Sequence, residues 1–369
     1  MEKNTLALIV ALVLIIAAIA YVESTKPAIA QNPAQSLAQQ AGSVQVQGGQ
    51  PPYPPAPEFS GVSGYINAPA NLTMASLRGK VVLVDFWTYS CINCIRTLPY
   101  LESWYEKYSG EGLVIVGVHS PEFDFEKNYA NVQAAVARFN ITYPVVMDND
   151  HAIWNSYQNE YWPRDYLIDA KGGVRFDHIG EGGYDETESQ IVQLLSEAKN
   201  STVPMNSTPP AGVVQPDFGQ VNTPEIYLGA ARRSEPLGNA NPLYAGEQFS
   251  ASIPAGALAP NVPYLEGNWT NGADAVELSG EKGAVELDFS AKNVNIVAGS
   301  PSGTNLTIFI DGNRAAMQDC AGAPDSPSGS CPVSGERLYS ILTLPQYGQH
   351  VLRIDAEGSG FELFTFTFG

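Results

Sequence analysis

Cys91-Ile92-Asn93-Cys94 directly follows Val81-Val82-Leu83-Val84-Asp85-Phe86-Trp87, an apolar run interrupted only by Asp85. A run of that length reads as a buried strand, and the residues after it carry helical spacing. A helix that begins at the first of two cysteines is a setting for a redox-active thiol pair. The thiolate is the reacting species, and a helix N-terminus lowers a thiol pKa from about 8.5 toward roughly 3.5–7.5, so position predicts Cys91 as the nucleophile. Two intervening residues bring the second thiol within reach of the first, since bridged cysteines sit about 5.5 Å apart between Cα atoms.

Half of a zinc site has the same spacing, but the other half is missing. The nearest other cysteine is Cys320, and His119, His151, His178 and His350 show no paired spacing. The chemistry therefore calls for no metal and no cofactor. Asp85 stands on the buried strand six residues before Cys91. A buried carboxyl is costly and its pKa is raised, so facing Cys94 it would take that thiol's proton. Trp87 reads as an apolar cover over the site or as ordinary core. His119 and Glu122 follow the next strand and could border the site behind the residues that react; a satisfied histidine in a turn is the alternative. Pro99 kinks the helix, which is geometry rather than chemistry. Cys320 and Cys331 enclose ten small or polar residues and read as a structural disulfide worth about 2.5–3 kcal/mol; a second redox couple is the sharper reading.

The elements that must position these residues fall into two blocks. Over 61–200 the spacing predicts alternating strands and helices: strands at 81–87, 113–118 and 143–147, helices at 91–108 and 131–139. A hairpin over 165–179 turns at Lys171-Gly172-Gly173, and an amphipathic helix over 186–198 closes the block. Alternation of this kind implies βαβ units around a partly parallel sheet. Residues 201–220 form a linker. From 221 to 369, period-two runs such as Val285-Leu287-Phe289 and Leu306-Ile308-Ile310 recur with turn residues between them, the pattern of an all-β sandwich. Phe361 is out of phase with Phe364, which predicts a bulge in the last strand. Tyr264, Trp269, Tyr339 and Tyr347 suit either a glycan-stacking surface or core and rim positions.

The N-terminus adds location. Leu6–Val22 is an unbroken apolar stretch of 17 residues, short for a spanning helix and long for a signal-peptide core. Ala28-Ile29-Ala30 offers a cleavage pattern eight residues beyond it, so 1–22 reads as an uncleaved anchor in preference to a signal peptide, with the rest of the chain outside the cytoplasm. Residues 23–60, rich in Gln, Ala, Pro and Gly, read as a disordered linker. Six Asn-x-Ser/Thr sites, at Asn71, Asn140, Asn200, Asn206, Asn268 and Asn305, fit an exported chain. A net charge of −19 argues against nucleic acid or an anionic membrane surface as partner.

Val84-Asp85-Phe86-Trp87 with Cys91-x-x-Cys94 and Pro99 resembles the thioredoxin superfamily. The longer string from Gly79 to Leu101 resembles one branch, the TlpA-like extracytoplasmic part of DipZ proteins. So do Gly117–Phe123, Tyr161-Trp162-Pro163 with Leu167-Ile168-Asp169, and His178–Tyr184. The likeness continues through Thr223–Gly229 to Phe366-Thr367-Phe368-Gly369, covering about 57–369. It implies a thioredoxin fold with a TlpA-type βα insertion, then a jelly-roll domain similar to carbohydrate-binding modules. It also implies a cis Trp162-Pro163 bond facing the disulfide, with Trp162 and Pro163 receiving the substrate chain. DipZ proteins carry a multi-helix membrane domain, whereas this chain has one apolar segment, so its electrons are expected from a separate membrane donor of CcdA type. Thr97 stands where some TlpA-type reductases have a glutamate, which leaves Asp85 as the acid of the site.

The reading is a membrane-tethered, extracytoplasmic (periplasmic or cell-surface) thiol–disulfide oxidoreductase. It would reduce disulfides of exported proteins, with oxidation and isomerisation open. The rivals are a surface-binding protein working through the β domain, a copper chaperone of the Sco kind, whose Cys-x-x-x-Cys spacing is one residue longer, and a thiol peroxidase, whose Pro-x-x-x-Thr-x-x-Cys context is absent.

Overall fold

The computed structural model describes residues 53–206, 208–233, 235–315 and 330–369. The expected anchor at 1–22, most of the tether after it, Cys320 and the side chain of Cys331 lie outside the described residues, and with them the expected Cys320–Cys331 bridge. Among the described residues no helix is long and apolar enough to cross a membrane.

The first sheet contains β1 (Gly64–Ile66), β2 (Val81–Trp87), β3 (Leu113–His119), β4 (Val145–Met147), β5 (Arg164–Ile168) and β6 (Val174–Ile179), in the order β1-β4-β3-β2-β5-β6. β2, β3 and β4 run parallel, while β1, β5 and β6 join antiparallel. β2 is buried along its whole length on both faces, which is why its sequence is a continuous apolar run. Val81, Leu83 and Trp87 face a core built with α1 (Ile92–Tyr108), α2 (Tyr129–Arg138) and α4 (Tyr184–Lys199). Val82, Val84 and Phe86 face a second core with Phe59, Leu72 and Ile153, the last from α3 (Ala152–Ser156). The arrangement is the one expected of a thioredoxin fold.

The expected linker extends too far at its C-terminal end. Ala56 N–H donates to Gly172 O (2.9 Å), Val174 N–H donates to Pro54 O (2.9 Å), and Phe59 is buried. Residues 54–60 therefore belong to the first domain; an extended Pro-rich strip satisfies its few backbone groups against the β5–β6 turn and seals the second core with one phenyl ring.

The second domain is all-β, as expected, but its layers are not two separate sheets. Among the described residues, β7 (Ile226–Tyr227), β8 (Glu247–Ala251), β9 (Tyr264–Asn271), β10 (Val276–Gly299), β11 (Thr304–Ile310), β12 (Asn313–Ala315), β13 (Ser330–Val333), β14 (Arg337–Glu357) and β15 (Phe361–Phe368) form one hydrogen-bonded nine-stranded sheet. The long strands β10 and β14 pair along most of their lengths and carry the hydrogen bonding through the whole domain. Tyr264, Trp269 and Tyr339 are buried in this domain and belong to its core, the second of the two readings of these aromatics. Tyr347 is half-buried and accepts a hydrogen bond from Asp217 N–H (2.7 Å).

The expected bulge in the last strand is at Phe364. Val297 pairs with Thr365 and Ala298 with Leu363, leaving Phe364 as the extra residue. The bulge turns its ring away from the β-domain core and into the contact with the first domain. There it meets Phe123 (5.2 Å between centroids) and Phe125 (4.9 Å, edge to face), beside Ile92 and Ile95 of the first turns of α1. The helix carrying both cysteines thus leans on the β domain.

Glu126 ties the same region together from beneath. In the short helical turn at Asp124–Lys127 it is fully buried, accepting from Ser90 Oγ (2.6 Å), Phe123 N (3.0 Å) and Ser90 N (3.3 Å). One carboxylate so joins the loop before Cys91 to the segment that meets the β domain. Burial and the charge of Glu122 push its pKa up to about 7 despite these donors.

Phe364→Ala is expected to lower stability by about 3 kcal/mol in urea unfolding; an unchanged midpoint would contradict the interface described. Because Glu126 binds its proton more tightly folded than unfolded, its contribution is full below pH about 4.5 and is lost as pH rises through about 7. Glu126→Gln should flatten the fall in melting temperature over that window, and an unaltered slope would contradict the assignment.

Candidate active site

Cys91 caps α1 with extended backbone (φ −80°, ψ 115°), and its Sγ accepts a hydrogen bond from Cys94 N–H (3.2 Å). The sequence places it there because β2 ends at Trp87 and Thr88–Ser90 make the turn, with Cys91 N–H donating to Thr88 O. Both cysteines are free thiols; Cys91 keeps part of its surface at a cleft, while Cys94 is buried beneath it. A half-open first thiol over a closed second one is the geometry of attack by one sulfur and resolution by the other.

The expected low pKa of Cys91 is not what its surroundings produce. Burial pushes the thiol up, and the carboxylates of Glu122 and Glu225 add to the shift. Hydrogen bonding to Cys94, side chain and amide, pulls the other way and is outweighed. Burial also pushes Cys94 well up, with Cys91 and the negative charge of Asp85 adding to it. Cys94 therefore keeps its proton until something takes it.

Asp85 is 1% exposed. Its register partner on β5 is Asp165, 6% exposed, so two carboxyls stand directly opposite each other in the sheet interior. Burial raises both, and the facing charge raises Asp85 further. No donor reaches either oxygen of Asp85 or Oδ1 of Asp165, so the two can bond to each other only when one carries a proton. The site thus holds a carboxyl pair where sequence pointed to one acid. Asp165 escapes a sequence reading because its strand reads only as half of a hairpin; its position two residues after Pro163 is the single local hint.

The Trp162–Pro163 peptide is cis, as the resemblance implies. Trp162 donates from Nε1 to Ser120 O (3.0 Å) and lines the cleft with Cys91. Trp87 is wholly buried in the core that contains Cys94, so it underlies the site rather than covering it. His119 is also fully buried, stacked on Tyr89, with Nε2 3.4 Å from Thr88 Oγ1; burial lowers its pKa to about 3, and a neutral ring there serves packing rather than acid catalysis.

The cleft, about 300 Å³, has walls from both domains. Ile92, Glu122 and Trp162 come from the first, and Phe218, Glu225, Tyr227 and Phe368 follow in the chain's second part. Glu122 is the pivot: Tyr227 Oη donates to its Oε1 (2.6 Å), Arg232 pairs with the same oxygen (2.8 Å), and Arg232 also donates to its carbonyl (3.0 Å). Burial and Glu225 together push Glu122 up to about 7. Glu225, Tyr227 and Arg232 have no sequence signal linking them to Cys91; domain docking alone brings them there.

With the geometry in hand, comparison with known proteins is direct. A family model described as AhpC/TSA family matches residues 54–177, and one described as thioredoxin like C-terminal domain matches 223–369. Protein DipZ of Mycobacterium bovis is 37% identical over 318 residues, covering 85% of this chain and 43% of that protein. Thiol-disulfide oxidoreductase YkuV of Bacillus subtilis is 30% identical over 146 residues, covering 39% of this chain and 97% of that protein. A solution structure of a thioredoxin-like protein in the oxidised form shares 30% identity over 39% of this chain and 97% of that one, with a TM-score of 0.37. The chain spans less than half the length of the mycobacterial relative. This chain belongs to the thioredoxin superfamily, as a DipZ/TlpA-like member of its thiol–disulfide oxidoreductases.

Proposed function

We propose that the protein reduces disulfides of exported proteins outside the cytoplasm, held to the membrane by Leu6–Val22. The observation that carries the reading is the pairing of a cleft-lining Cys91 with a Cys94 buried in the core that the Asp85 face of β2 lines. Cys91 Sγ, as thiolate, attacks a substrate disulfide; an Sγ–S bond forms, the substrate S–S bond breaks, and one substrate sulfur leaves as thiolate. Cys94 then attacks Cys91 Sγ, its proton passing to Asp85. The Cys91–Cys94 bond forms, the mixed disulfide breaks, and the second substrate sulfur leaves. The substrate gains two electrons and the protein loses two. A separate membrane donor of CcdA type would return them, and no cofactor enters the cycle.

Trp162 and the β-domain side of the cleft would grip the chain flanking the scissile disulfide, with Pro163 behind Trp162 presenting backbone to it. Cys91→Ser should bring insulin reduction to the uncatalysed rate, and undiminished turnover would end the proposal. Cys94→Ser should accumulate partner proteins as mixed disulfides visible on non-reducing gels. Asp85→Asn should slow resolution by about 10²-fold while leaving the first attack in place; equal loss in both steps would assign Asp85 to another role.

A further inference from the structure

Cys94 is 1% exposed, so the proton it gives up on resolving a mixed disulfide must cross protein to reach water. The sheet contains a row of groups suited to that crossing. Asp85 on β2 faces Asp165 on β5, and Asp165 faces His178 on β6. Directly opposed residues point to one face, and here it is the face toward α1, because Leu83, Leu167 and Phe176, two residues along the same strands, pack in the core that contains Cys94. β6 is the outer strand of the sheet, and Asp177 and Ile179 beside His178 are exposed. The row therefore runs from the buried thiol to the sheet edge.

Each of the three strands leaves a buried polar atom without a hydrogen-bond partner in this row: both oxygens of Asp85, Oδ1 of Asp165 and Nε2 of His178. An unsatisfied buried group costs about 1–3 kcal/mol, and three in register make a costly arrangement for packing alone. The loop after β6 is shaped around the imidazole: a Cβ at Gly183 would stand 2.4 Å from His178 Cε1, so glycine lets the backbone close over the ring. Tyr143, whose buried hydroxyl senses Asp85, Asp165 and Cys94, also faces the row, and Glu181, three residues after His178, is paired with Arg96 (3.0 Å).

We propose that Asp85, Asp165 and His178 form a proton relay that carries the Cys94 proton to solvent during resolution. The inference rests on the reading of Cys91–Cys94 as the redox couple. The Cys94 S–H bond breaks as its sulfur bonds to Cys91 Sγ and the substrate sulfur departs with the electron pair of the broken S–S bond. The proton passes to the Asp85–Asp165 pair, then to His178 Nε2, and leaves from the imidazole to water. Asp165 and His178 touch no reacting sulfur; they act through Asp85.

Ellman's reagent separates the two steps in the reduced full chain: thionitrobenzoate is released once when Cys91 attacks and again when Cys94 resolves. Asp165→Asn and His178→Gln should leave the first phase within about twofold and slow the second roughly tenfold or more, flattening its pH profile. Imidazole added to the buffer should restore the second phase of the His178 variant. A second phase that matches wild type in both variants overturns the relay. So does slowing with an unaltered pH profile and no imidazole rescue, the result of a purely structural role. If Asp165→Asn does not fold, the histidine variant decides alone. A first phase that survives in Cys91→Ser overturns the redox-couple reading itself, a separate failure.

Discussion

One constraint organises this protein: a carboxyl must sit in the middle of its most buried strand. Asp85 has Val84 and Phe86 as neighbours on a strand with no exposed residue, and the carboxyl opposite it is another aspartate. Such a pair is tolerable only with a proton between its members, since two adjacent buried carboxylates repel. That proton is the stored chemistry of the site. It holds the pair at one negative charge in the resting state and leaves one acceptor beside a thiol that must lose its own proton.

The same economy shows in how Cys91 is held. Its helix would favour the thiolate, but the cleft is narrow and edged by Glu122 and Glu225, and these win. Both carboxylates are partly restrained by Arg232 and Tyr227, which the second domain supplies. The β domain is therefore part of the electrostatics at the nucleophile as well as a wall of its cleft. The Phe364 bulge makes this possible: one residue out of register converts a core aromatic into an anchor against Phe123 and Phe125, at the foot of the catalytic helix.

What could be read from sequence was what local chemistry dictates. The thiol pair, the buried strand before it, the acid on that strand and the bulge each depend on neighbours within a few residues, and each is present. What could not be read depends on pairing across the chain. Asp165 matters only because β5 lies antiparallel to β2 in one register, and a shift of one residue would turn it to the opposite face. Glu126 becomes a hub because a reach-back turn aims it at Ser90. Glu225, Tyr227 and Arg232 lie over a hundred residues from Cys91 and meet its surroundings only through docking. The helix-dipole argument for Cys91 failed for a related reason: it counted the local field and not the burial of the thiol, to which distant carboxylates add. The tether failed at its end because Pro-rich composition does not exclude packing when a turn offers partners for its carbonyls.

The central claim is that Cys91 and Cys94 form a reversible couple whose second thiol exchanges its proton with buried carboxyls. The most direct test is the reduction potential of the couple followed as a function of pH in the full chain. A two-electron transition lost in Cys91→Ser, with a break in its pH slope that Asp85→Asn removes, is the predicted result, since burial raises the Asp85–Asp165 pair above the ordinary carboxylate range. The absence of a two-electron transition dependent on Cys91, or a slope that runs unbroken through neutrality, would contradict it.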